Sequence, residues 1–205
     1  LKAARLELEN KINQTVQTDG MTQQSVDAYQ NAKREAQNES NTALALINNG
    51  DATEQQITTE TDRVNQQTTN STQAINGLTV NKEPLETAKT KLQNNIYQVP
   101  ITDGMTQQSV ANYNQKLQIA KNEINTINNV LANNPDVNAI RTNKAEAERI
   151  SNDLTQAKNN LQVDTQPLEK AKRDIQSSID QGANTDGMTT DSVDEFNDAL
   201  GDALS

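Results

Sequence analysis

Apolar residues are sparse along this chain, and they recur at helical spacing. Leu1, Ala4, Leu8 and Ile12 lie three and four apart, which places them on one stripe of a helix. The same stripe returns at Leu85, Ala88, Leu92 and Ile96, and again at Leu168, Ala171, Ile175 and Ile179. A longer stripe runs through Val26, Tyr29, Ala36, Ala43 and Ile47. It has a copy at Val110, Tyr113, Leu117, Ala120, Ile124, Ile127 and Leu131, and a third begins at Val193, Phe196 and Leu200. The last stripe holds Ile57, Val64, Ile75 and Leu78, with a copy at Ile140, Ala147, Ile150, Leu154, Ala157 and Leu161. No segment alternates as a strand does. The pattern predicts an all-α chain whose unit is three helices of roughly 13, 27 and 26 residues.

Element ends carry their own signals. Pro84 and Pro167 fall in a first turn, where a missing N–H costs nothing. Asn49-Gly50 and Asn134-Pro135 stop the second helix of their units. Gly77 and Asn160 are expected to close the third helix in the left-handed conformation, with Leu78 and Leu161 supplying the apolar contact that accompanies such a cap. Thr22, Thr106 and Thr189 are placed to cap the second helix. Met21, Met105 and Met188 stand just before the cap as staples.

These units repeat. Thr-Asp-Gly-Met-Thr occurs at Thr18–Thr22, Thr102–Thr106 and Thr185–Thr189, at spacings of 84 and 83, and residues 1–50 match residues 85–134 at 22 of 50 positions. Pro-Leu-Glu-x-Ala-Lys recurs at Pro84–Lys89 and Pro167–Lys172. The expected organisation is a first unit over 1–82 that lacks its first residues, a second over 83–165, and the first half of a third over 166–205. Both ends fall inside a unit, so a piece of a longer array is expected. The half unit is expected to fray after about Phe196, since it offers only two helices. Links of about six residues, near 78–83 and 161–166, favour tandem three-helix bundles stacked end to end in an elongated rod over loosely strung beads. A helix running nearly unbroken across the joint is a variant of the same reading. The cores are expected to be thin, because Thr61, Thr68 and Ser71 occupy interface positions and the first unit's third helix is rich in Thr.

Composition then removes whole classes of function. Asn, Gln and Thr supply 73 of 205 residues, whereas Leu, Ile, Val and Phe supply 39. So small an apolar share borders on disorder, and the periodicity decides for a folded chain. The net charge of −10 argues against a nucleic-acid partner. His and Cys are both absent, which removes imidazole and thiolate metal sites, disulfides, and His- or Cys-based catalysis. The longest apolar run, Ala43 to Ile47, is far too short to span a bilayer. No catalytic, cofactor or metal site is expected, and the chain is not read as an enzyme.

Four features stand as candidate contacts. The Thr-Asp-Gly-Met-Thr turn reads as structural, since one carboxylate per loop is too few for calcium. Asp191, Asp194, Glu195 and Asp198 cluster on one helix but lack the His partners of di-metal bundles, and they read as a solvated face near a helix N-terminus. Tyr29, Tyr113 and Phe196 are aromatic anchors by type and core residues by position. Lys89, Lys91, Lys170, Lys172 and Arg173 read as the outward face of the first helix.

The segment Met21-Thr22-Gln23-Gln24-Ser25-Val26-Asp27-Ala28-Tyr29, with its copies at 105–113 and 188–196, resembles the opening of the FIVAR module, although Met and Val replace that module's usual Tyr and Trp. With the period and the Asn/Gln/Thr-rich surface, all 205 residues resemble repeats of the giant extracellular matrix-binding proteins of Gram-positive cocci. The resemblance implies an extracellular, cell-wall-associated adhesin that binds host fibronectin, with type III modules as the suspected partner, and that supports attachment and biofilm growth. It implies no obligate oligomer, no nucleic-acid partner and no membrane contact in this stretch, and it transfers no partner-binding residues. A helical bundle has to bind by a face, and one weak face per unit gains strength by repetition. The alternative is a passive stalk that only spaces other domains.

Overall fold

A computed structural model describes residues 1–205. Eight α-helices hold 75% of the chain, and there is no strand. They are α1 Lys2–Ile12, α2 Gln23–Ile47, α3 Glu54–Asn76, α4 Glu83–Tyr97, α5 Gln107–Ala132, α6 Val137–Asn159, α7 Gln166–Gln181 and α8 Thr190–Leu204. Each apolar stripe read from the sequence lies on one of these helices, except that Leu1 precedes α1 and Leu78 and Leu161 fall just past the ends of α3 and α6.

The chain gathers into two compact units. The first holds Leu1–Gln98 and Ile119–Asn152, and the second holds Val99–Gln118 and Asp153–Ser205. In the first unit α1, α2 and α3 pack pairwise against one another as a three-helix bundle. Its core is built on Leu8, Ile12, Ala36, Ala43 and Val64, with Leu1 and Ala4 at its edge. The same unit buries Leu85, Ala88 and Leu92 of α4, Ile127 of α5, and Ile140, Ala147 and Ile150 of α6. Asn95 donates through Nδ2 to the Ser151 carbonyl at 2.8 Å, joining α4 to α6. The second unit buries Tyr113, Leu154 and Ala157. There α7 lies against α8, and Lys116 on α5 pairs with Asp153 on α6 at 3.3 Å.

The threonine caps act as read, whereas Met188, expected as a staple, is 61% exposed. The hydroxyls of Thr22, Thr106 and Thr189 accept from the backbone N–H of Ser25, Ser109 and Ser192 at 3.3, 3.4 and 3.4 Å. Such a cap stabilises a helix by about 1 kcal/mol. Helix α3 has a full capping box between Thr53 and Gln56, which the sequence reading did not single out. The hydroxyls of Thr61, Thr68, Thr69 and Thr72 turn back onto the carbonyl four residues earlier. That contact satisfies each hydroxyl on its own helix.

Three expectations are corrected. Gly77 is right-handed, at φ −83° and ψ −4°, and Asn160 does not enter the left-handed region. Leu78 N–H bonds to the Ile75 carbonyl in a tightened last turn, so the chain leaves α3 without the reversal a left-handed cap makes. The non-glycine residue with positive φ is Asn134, at 46°, in the α5–α6 turn. Helix is not continuous across the link: residues 77–82 are non-helical. Helix α8 persists through Leu204 rather than ending near Phe196, because Phe196, Leu200 and Ala203 line a shared apolar cleft with Ile175 and Ile179 of α7.

Candidate functional site

The repeated turn is a lock between two parts of its own unit. Gly20 adopts φ +82°, which an L side chain tolerates poorly, and the chain turns sharply there. The reversal brings Met21 beside Val80 in an isolated antiparallel bridge. Thr22 N–H donates to the Thr79 carbonyl at 2.7 Å, and Asn81 N–H donates to the Gly20 carbonyl at 2.9 Å. The Ser25 hydroxyl accepts from Thr79 N–H at 3.1 Å while donating to the Thr22 carbonyl at 2.9 Å. The second copy repeats every element. Met105 bridges Val163, Thr106 N–H reaches the Gln162 carbonyl at 2.7 Å, Asp164 N–H reaches the Gly104 carbonyl at 2.8 Å, and the Ser109 hydroxyl accepts from Gln162 N–H at 3.2 Å. The segments after α3 and α6 are therefore pinned to the N-termini of α2 and α5. The sequence identified the turn. The role of Ser25 and Ser109 was legible only as the invariant fourth residue of Thr-Gln-Gln-Ser.

The first copy of the turn also meets α6 and the turn before it. A Cβ on Gly20 would lie 2.4 Å from Cγ1 of Val137, so the backbone approaches α6 as closely as glycine permits. Asp19 pairs with Arg141 at 2.6 Å, both side chains more than half exposed. Lys82 Nζ donates to the Leu131 carbonyl at 3.0 Å, satisfying one of the free carbonyls at the end of α5. Gly104 has open space around its missing Cβ. Nothing in the sequence marks Val137 and Arg141 as partners of a turn more than a hundred residues away.

The aromatic anchors belong to the core. Tyr29 is 6% exposed and Tyr113 is 2% exposed, and Phe196 is half-buried. Asp191, Asp194, Glu195 and Asp198 are all exposed on α8. No group of three acidic side chains is positioned to share an ion. Lys91, Lys170, Lys172 and Arg173 are exposed and Lys89 is half-buried, with Lys170 paired to Asp174 at 2.6 Å.

A feature the sequence reading passed over is a buried carboxyl. Glu60 of α3 is 4% exposed. Burial first, and then a hydrogen bond to Glu39 of α2 and its charge, push its pKa up to about 6, against the opposing charge of Arg63. Arg63 stands 3.8 Å away. Close by on the same bundle, Ser40 donates to Glu9 and its carbonyl accepts from Arg5 Nε at 3.0 Å. Glu60 lines an open cleft of about 580 Å³ with Thr42, Leu46, Gln56 and Arg63. The signal available in the sequence was a Glu at a position where the helical period called for an apolar residue.

Comparison with known proteins follows the same line. The FIVAR domain signature matches residues 4–72. Extracellular matrix-binding protein EbhB of Staphylococcus aureus strain Newman is 50% identical over 200 residues, which is 98% of this chain and 3% of that protein. Extracellular matrix-binding protein ebh of strain NCTC 8325 / PS 47 is also 50% identical over 98% of the chain and 2% of its own length. The chain thus spans only a few hundredths of the relatives it matches. No solved structure matches. Residues 4–72 thus match the FIVAR domain family, and the chain as a whole is similar to a stretch of the staphylococcal extracellular matrix-binding proteins.

Proposed function

We propose that this chain is part of a bacterial cell-surface adhesin that binds host fibronectin, and that it supports attachment and biofilm formation. The carrying observation is the 50% identity, across nearly the whole chain, to proteins named for extracellular matrix binding. The modules of this reading are residues 1–82, 83–165 and the first half of a third over 166–205. The physical features accord with a binding role: the chain shows no catalytic constellation, and its surface is polar and acidic with locked links between helices. Several weak faces in series gain avidity of about 10² to 10⁴ on an immobilised target.

The test is surface plasmon resonance of chain 1–205 and of residues 1–82 on immobilised fibronectin and its separate type III segments. Saturable binding that strengthens from one unit to the longer chain is expected. Absence of binding by helical, folded protein would leave the passive stalk as the function of this stretch. The pinned segments at 79–81 and 162–164 would serve that role equally well.

A further inference from the structure

Helices α7 and α8 carry the apolar stripes of the first two helices of a repeat, but those stripes are open to solvent. Leu85 and Leu92 of α4 are fully buried, whereas their counterparts on α7, Leu168 and Ile175, are 73% and 50% exposed. Ile175 and Ile179 line a cleft of about 350 Å³ together with Phe196, Ala199 and Leu200 of α8. In the first bundle the same face is covered by a third helix, because α3 packs on both α1 and α2. The sister copy therefore shows what this cleft fits, which is an amphipathic helix laid along α7 and α8.

The copies also show which kind of third helix it fits. Ser71 of α3 and Lys33 of α2 line one gap of about 10 Å³ in the first bundle, so these two positions meet across the interface. A polar residue on the second helix there faces a polar residue on the third. At the corresponding positions the second copy has Leu117 and Leu154, both apolar. On α8 the residue at this position is Leu200. It matches the second copy, and a Ser or Gln set against it would bury polar atoms without partners. Charge selects in the same direction. Residues 166–205 hold nine acids and three bases. Helix α6 carries four bases and three acids, while α3 carries one base and three acids. An α6-type helix is thus attracted to the acidic hairpin and an α3-type helix is repelled.

We propose that α7–α8 is a preformed acceptor for a third helix of the α6 type, with apolar residues at the positions of Ile150 and Leu154, and that it discriminates against the α3 type. Supplied by a second molecule, such a helix joins two chains by exchange of an identical element. The acceptor does not depend on which matrix ligand the chain binds.

The experiment adds two peptides, residues 137–161 and residues 54–78, separately to chain 1–205. Residue-resolved hydrogen exchange reads α7 and α8 apart from the other helices. The 137–161 peptide is expected to slow exchange in α7 and α8 at least tenfold, and to bind at least tenfold more tightly than the 54–78 peptide. Ile150→Gln with Leu154→Ser in the peptide should remove most of that preference, and this change leaves the fold of chain 1–205 untouched. Leu200→Lys in the chain, the residue the first copy holds at this position, should narrow the preference from the other side. Equal binding of the two peptides would overturn the selectivity. Absence of protection in α7 and α8 with the 137–161 peptide would overturn the acceptor itself. Protection that rises with chain concentration in the absence of peptide would overturn it too, since a second α7–α8 pair would then be the occupant of the cleft.

Discussion

The bundle α1–α3 and the helices α4–α6 are two versions of one design, and their interiors differ more than their turns. Residues 18–26 and 102–110 are identical, and they make the same lock. The third helices, by contrast, exchange polar for apolar residues at buried positions. Ser71 and Gln67 of α3 correspond to Leu154 and Ile150 of α6, and Ser40 of α2 corresponds to Ile124 of α5. Ser71 is 5% exposed and its hydroxyl has no partner, as is true of Gln67 Oε1. Leu154 is fully buried and Ile150 nearly so. What the copies hold in common is therefore caps and turn hydrogen bonds, while the cores have diverged in chemistry. In the first bundle Ser71 and Gln67 carry buried polar atoms that cost stability without return, while the Ser40 hydroxyl is satisfied by Glu9.

The largest break of this comparison is to give the second copy the first one's core. Leu154→Ser is expected to destabilise the elements around α6 by about 3–5 kcal/mol, since it deletes a buried side chain and strands a hydroxyl. Ser71→Ala in α3 should act in the opposite direction, raising stability by about 1 kcal/mol. Residue-resolved hydrogen exchange is the suitable measurement, because a chain with two compact units need not unfold in one step. If the two variants shifted protection in the same direction, the contrast between the cores would be wrong.

Next in size is the pair of turn glycines. Gly20→Ala and Gly104→Ala both force a side chain into positive φ, at 82° and 73°. Only the first also drives a methyl into Val137. We expect Gly20→Ala to cost about 2–4 kcal/mol from backbone strain and overpacking together. Gly104→Ala should cost only the backbone share, about 1–2 kcal/mol. Thermal unfolding of the two variants measures the difference. Adding Val137→Ala should recover much of the excess at Gly20 and leave Gly104→Ala unchanged.

A smaller effect distinguishes the copies by pH. Glu60 has Asn143 as its counterpart, so its buried charge belongs to the first bundle alone. Its folded pKa of about 6 lies above the ordinary 4.5, which means the folded state holds a proton that the unfolded state has released. Stability of the first bundle is therefore lowest above pH 6, rises as pH falls through the folded value, and levels off below the unfolded one. The span corresponds to about 2 kcal/mol. Glu60→Gln should abolish that rise and raise stability near pH 7.5. Glu123 of α5 is also pushed up, by burial and then by Glu146, so a weaker trend of the same sign remains in the second copy. Exchange rates in α3 at pH 4 and 7.5, with and without the substitution, decide the matter.

The sequence disclosed what is local and periodic. Every helix and the stop signals at Asn49-Gly50 and Asn134-Pro135 followed from spacing and from turn chemistry, because those depend on neighbours within one or two turns. The burial of Tyr29 and Tyr113 followed from the same spacing. What escaped depends on distant groups. Gly77 reads as a left-handed cap until the bridge between Val80 and Met21 is known to direct the chain elsewhere. Glu60 stands at an apolar position of the helical period, but its neighbour Glu39 comes from another helix.

The smallest effect concerns orientation more than stability. Asp19 and Arg141 form a short ion pair, yet their side chains are 77% and 54% exposed. Water and salt screen such a pair, so a double-mutant cycle with Asp19→Ala and Arg141→Ala should give a coupling below about 0.5 kcal/mol, fading further in molar salt. Asp103, the same residue in the second copy of the turn, has no such partner, so Asp103→Ala serves as the internal control. The contact beneath the pair is apolar and close, with the backbone of Gly20 lying on Val137. If the cycle returned 2 kcal/mol or more, the charges would be holding the first turn on α6. If it returns little, as expected, the joint is held by the shape that glycine allows, and the ion pair only selects how the turn is seated.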